Sequence, residues 1–97
     1  MVKIHGNYCG PNWTAGRAIA AGDPRVDWSV PCKDKLDCAC KAHDRDCSHP
    51  KGCSREADSK LIKTAYWIGL LSPNLILRKK AQAITTAITA ARMTRRR

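Results

Sequence analysis

The sequence predicts an all-α domain: a loop-rich N-terminal third, two long antiparallel disulfide-stapled helices, and a basic amphipathic C-terminal helix. Three observations carry that expectation. Apolar residues recur at helical spacing after position 34, Pro/Gly/Asn turns punctuate the pattern, and six cysteines stand in 97 residues. A chain this short buries a thin core and needs cross-links to supplement it. Closely spaced cysteines in even number read as disulfides, which places the chain in an oxidising setting, secreted or carried on a virion.

Taken in order, residues 6–32 are rich in Gly, Pro, Asn and Asp, lack periodicity and read as loop, with one short turn of helix expected at Gly16–Ala21. Asp34 is the N-cap of a first helix to about Cys47, whose inward stripe is Leu36, Cys40, His43 and Cys47. The turn His49-Pro50-Lys51-Gly52 follows. Ser54 caps a second helix to about Leu71 with Ala57, Asp58, Leu61, Ile62, Ala65 and Ile68 inward; Trp67 is also expected in the core. Ser72-Pro73-Asn74 ends it. A third stretch from Leu75 aligns Leu77, Ala81, Ile84, Ile88 and Ala91 on one side. The expected division is a main unit over residues 1–75 and a basic helix or tail over 76–97.

Charge separates these parts. Residues 1–58 carry nine Lys/Arg against eight Asp/Glu, whereas residues 59–97 carry nine Lys/Arg and no acid. The second part should attract an anionic surface. No apolar run approaches a membrane span, the longest being about six residues near Tyr66–Leu71. Met1–His5 holds no apolar stretch of the kind a signal peptide needs.

Chemistry concentrates where the helices bring acids and a histidine together. Asp58 lies on an inward helical face, where an unpaired carboxylate is costly, and His43 on the facing stripe is its natural partner. An Asp–His hydrogen bond fixes the imidazole tautomer and leaves the other nitrogen able to take a proton from water. Such pairs serve structure at least as often as catalysis. Asp44 projects about 100° round the helix from His43. The loop Tyr8-Cys9-Gly10-Pro11-Asn12 can aim carbonyl oxygens toward it, the donor set that calcium takes. Read singly, the loop is also an ordinary turn and Asp44 a solvated acid.

Together these blocks resemble a known family. Tyr8-Cys9-Gly10-Pro11-Asn12 is similar to the calcium loop of secreted phospholipases A2, and the run from Leu36-Asp37-Cys38 through His43-Asp44 resembles their active-site helix. Pro31-Cys32 ahead of Leu36-Asp37 is similar to the plant secreted forms. The order of loop, His-Asp helix and Ala57-Asp58 resembles still more the phospholipase domain of parvoviral minor capsid proteins. The likeness spans about residues 5–65. It implies a carboxylic-ester hydrolase with His43 as general base, Asp58 supporting it, and calcium held by Asp44 and the carbonyls of Tyr8, Gly10 and Asn12. The Gly10 amide would be a second oxyanion donor.

The chain also departs from that family. Asn12 replaces the loop's second glycine, Ala39 removes one familiar cysteine, and Cys47 stands where a tyrosine often supports the second aspartate, a role left to Tyr66 or a water. The resemblance implies a Cys9–Cys40 bridge. Of three pairings open to the other cysteines, Cys32–Cys38 with Cys47–Cys53 is the expected one. Trp13 and Trp28, with Arg78, Lys79 and Lys80, are expected at an anionic phospholipid surface, and no specific nucleic-acid partner is expected. Two rivals stand beside this reading. One is a zinc-bound nucleic-acid module using the Cys/His cluster from Cys38 to Cys53, although Cys38 and Cys40 lie about 200° apart on one helix. The other is an inactive phospholipase-like binding protein.

Overall fold

The computed structural model describes residues 3–97 and contains three helices, α1 (Lys35–Cys47), α2 (Arg55–Leu71) and α3 (Leu75–Arg92). Each begins at a side-chain cap. Asp34 accepts from the Asp37 amide at 2.8 Å, Ser54 from Ala57 at 3.1 Å and Asn74 from Leu77 at 3.0 Å, satisfying amides that the first turn leaves free. Asn74, the last residue of the Ser72-Pro73-Asn74 break, is thus also the cap of α3. Among the described residues no strand forms; isolated bridges join His5 to Cys9 and Thr14 to Arg17.

The expected helical turn at Gly16–Ala21 is absent. Ala15 and Gly16 take positive φ values of 55° and 74°, closing a tight turn in which Thr14 and Arg17 exchange backbone hydrogen bonds. Left-handed backbone cannot start a right-handed helix.

Contacts at both ends of α2 fix the helix directions. Gly69 near its C-terminus accepts from Gln82 early in α3 at 2.8 Å, while Ser59 near its N-terminus accepts from Arg92 at 2.9 Å. α2 and α3 therefore run antiparallel. Close packing at Gly69 has a steric basis, since a Cβ there would come within 3.0 Å of Gln82. Leu36, Leu61, Ala65, Ala81 and Ile84 are the buried helical core, joined by Tyr8, Cys9 and Cys40, so α3 belongs to the same core as the rest.

All six cysteines are bridged, as Cys9–Cys40, Cys32–Cys38 and Cys47–Cys53, the pairs expected above. No bridge links α1 to α2 along their lengths; the staples sit at the loop and at the turn between them. Trp67 is not in the core but 51% exposed. It stands two residues after fully buried Ala65, about 200° round the helix, which turns it outward. No described helix is long and apolar enough to cross a membrane.

Candidate active site

His43 and Asp58 meet as their places on facing helices require. His43 Nε2 lies 2.6 Å from Asp58 Oδ1; Asp58 is fully buried and His43 is 7% exposed. With the carboxylate ionised, Nε2 carries the proton and donates it, leaving a lone pair on Nδ1. Burial pushes the Asp58 pKa up, but hydrogen bonds from Arg95 and His43 and the charge of Arg95 together outweigh it and hold the carboxyl below its usual range. A buried carboxylate stays charged when donors and a cation surround it.

Arg95 is the partner that sequence reasoning missed. Its Nε donates to Asp58 Oδ2 at 2.8 Å and Nη2 to Oδ1 at 3.3 Å. Arg97 Nη2 pairs with Asp46 at 2.9 Å, and the Arg97 carbonyl accepts from the Arg55 amide. The end of the chain thus folds back over the junction of α1 and α2. Tyr66, the candidate for supporting Asp58, is 52% exposed and does not reach it. Nothing local distinguishes Arg95 from its neighbours Arg96 and Arg97; only the 37-residue return of the chain does.

The N-terminal loop is held by a second buried acid. Asp37 accepts from the amides of Asn7 at 3.0 Å, Tyr8 at 2.9 Å and Lys33 at 2.9 Å, and is fully buried. Gly6 makes this approach possible: a Cβ there would lie 2.4 Å from the Asp37 carboxyl carbon. Asp37 could have been found in the sequence, since it adjoins the inward stripe of α1 beside Leu36. Cys9–Cys40 ties the same loop covalently to α1. Beyond it Gly10 has φ 143° and Asn12 φ 52°, conformations that glycine and asparagine accept most readily.

Asp44 completes the arrangement. Its Oδ2 is buried without a hydrogen-bond partner. Burial first, and the negative charge of Asp37 second, push its carboxyl pKa up to about 8. Such an oxygen either keeps a proton or takes a cation. Tyr8, Gly10, Asn12, His43 and Asp44 border one cavity of about 490 Å³. Ile84, Ile88 and Ala91 of α3 supply an apolar wall to it. An unpartnered carboxylate oxygen that shares its cavity with loop residues Tyr8, Gly10 and Asn12 is the kind of donor a hard divalent cation takes. The Gly10 carbonyl receives only a long bond, 3.3 Å from the Trp13 amide.

Within the same cavity, Cys47 Sγ lies 3.6 Å from Nδ1 and 3.8 Å from Nε2 of His43. A bridged sulfur has no proton to donate, so it makes no hydrogen bond to the Nδ1 lone pair. The two tryptophans expected at an interface are both half-buried. Trp28 stacks on Tyr8 at 6.1 Å beneath Arg45, and Trp13 Nε1 donates to the Gly6 carbonyl at 3.0 Å. Of the expected basic residues, Lys79 is exposed, while Arg78 and Lys80 are half-buried at the start of α3. No family model, curated protein or solved structure matches the chain, so its chemistry rests on the cavity and its residues.

Proposed function

We propose that the chain is a calcium-dependent phospholipase A2 that hydrolyses the sn-2 ester of glycerophospholipids. The observation that carries this reading is the meeting, around one cavity, of a buried His43–Asp58 pair and an unpartnered Asp44 carboxylate oxygen. Arg95 holds Asp58, and Asp58 holds the imidazole with Nδ1 free. Nδ1 takes a proton from water as the water oxygen attacks the ester carbonyl carbon. The same proton passes to the glycerol oxygen as its bond to the acyl carbon breaks, giving a fatty acid and a lysophospholipid. The Gly10 amide is the donor for the oxygen on which negative charge develops. Asp44 and the carbonyls of Tyr8, Gly10 and Asn12 would hold calcium, which when bound polarises the ester carbonyl and offsets that charge. Ile84, Ile88 and Ala91 provide an apolar wall for the acyl chain.

Fatty-acid release from phospholipid vesicles tests the reading. Release with calcium, its loss on chelation, and a fall of about 10²- to 10⁴-fold in His43→Ala with unchanged circular dichroism are expected. Release by His43→Ala at the wild-type rate would remove the base from the account. One observation favours the zinc module instead: ligand atoms of His43, Cys47 and Cys53 lie within 4.8 Å of one another. Reduction of the Cys47–Cys53 bridge would be required to free the thiolates. Thiol titration separates the two, because free thiols with stoichiometric zinc support the module and their absence supports the hydrolase.

A further inference from the structure

Large apolar side chains gather in the open at the end of the α2–α3 hairpin. Leu71, Leu75 and Ile76 are 69%, 66% and 69% exposed, and Tyr66, Trp67 and Leu70 are each about half exposed. Residues 66, 67, 70 and 71 fall within about 140° of the α2 surface, so they form one face rather than scattered points. Tyr66 and Trp67 meet edge to face at 5.7 Å. Trp67 and Leu71 also border a groove of about 770 Å³ that carries Lys60 and Lys63 and reaches Lys35 on α1 and Asp34, an acid already paired with His5.

Charge selects among the surfaces that could cover this patch. Residues 59–97 contain no acid. Lys60 pairs with Glu56 at 3.4 Å, but Lys63, Lys79 and Lys80 enter no ion pair among the described residues. Two copies meeting through the patch would bring these lysines together, and like charges would oppose the contact. An anionic bilayer offers an apolar interior to the leucines and phosphates to the lysines. The hairpin end lies roughly 20 Å along α2 from Asp58, so the contact is separate from the catalytic cavity.

We propose that the end of the α2–α3 hairpin is a membrane anchor for anionic bilayers. Leu70, Leu71, Leu75 and Ile76 enter the acyl boundary, Tyr66 and Trp67 lie at head-group level, and Lys63, Lys79 and Lys80 meet lipid phosphates. The inference rests on the exposed surface alone and does not require hydrolysis.

Co-sedimentation with phosphatidylcholine vesicles, with and without phosphatidylserine, tests it. Wild type and His43→Ala should both bind, and more strongly when phosphatidylserine is present. Leu71→Asp with Ile76→Asp should weaken binding at least about tenfold on either vesicle. Lys63→Gln, Lys79→Gln and Lys80→Gln combined should lose only the gain given by phosphatidylserine. Circular dichroism checks that each variant folds. Absent wild-type binding, or doubly substituted protein that binds like wild type, would overturn the anchor. So would a wild-type dimer that fails to bind vesicles and that Leu71→Asp converts to monomer. Binding by wild type and His43→Ala without any fatty-acid release would overturn the hydrolase reading alone.

Discussion

The two ends of α2 are built by opposite means. Around its N-terminus, Asp58 is fully buried among a histidine and an arginine, Cys47–Cys53 closes the preceding turn, and Cys9–Cys40 ties the N-terminal loop to the facing part of α1. Around its C-terminus, residues 59–97 contribute no acid and no cysteine, and six large apolar residues stand at least half exposed. One end is over-determined, which is what a site needs to hold reacting groups in place. The other end is left unsatisfied, which is what a surface that meets a partner needs.

Breaking the first end should have the larger consequences. Replacing Cys9 and Cys40 by serine removes a cross-link over a 31-residue separation and should cost roughly 3.5 kcal/mol in the chain-entropy account. Removing Cys32–Cys38, separated by 6 residues, should cost roughly 2 kcal/mol. Denaturant unfolding measures both. Equal costs would mean that loop length does not set the stabilisation here.

Arg95→Ala leaves the buried Asp58 without its cation and should lower fatty-acid release about 10- to 100-fold. The acid limb of the rate profile should move to higher pH, because Asp58 loses the groups that oppose its burial. Arg95→Lys should restore part of the rate. A uniform loss with an unmoved limb would assign Arg95 to folding alone.

Asp44 gives a pH signature in chelated protein. Its carboxyl is raised from 3.8 to about 8, so between those values the folded state keeps a proton that the unfolded state has released. Metal-free stability should therefore decline as pH rises across that window. Asp44→Asn should abolish the decline and gain about 1–3 kcal/mol at its upper edge. A flat profile in wild type would contradict the strained carboxylate. At the other end of α2, Leu71→Asp should shift stability by only about 0.5 kcal/mol, as an exposed position should. A larger cost would show that the hairpin end supports the fold.

What the sequence made legible was set by local rules. Asp34 and Ser54 followed by periodic apolar residues announced α1 and α2, and the inward places of His43 and Asp58 announced their contact. The residues it concealed depend on distant chain. Arg95 acts through a return of the C-terminus that no periodicity encodes, and Asp37 acts through amides of a loop without repeat. Trp67 is expected in the core from the sequence, but its register on α2, about 200° from buried Ala65, turns it outward. At the start of Gly16–Ala21, left-handed Ala15 and Gly16 close a turn in place of the helical one that composition leaves open.

Calorimetric titration with calcium of wild type and of Asp44→Asn tests the central claim most directly. The account predicts stoichiometric binding by wild type that Asp44→Asn abolishes, with the variant as well folded as its parent. Wild-type protein that binds no calcium, or a variant that binds it equally well, would contradict it.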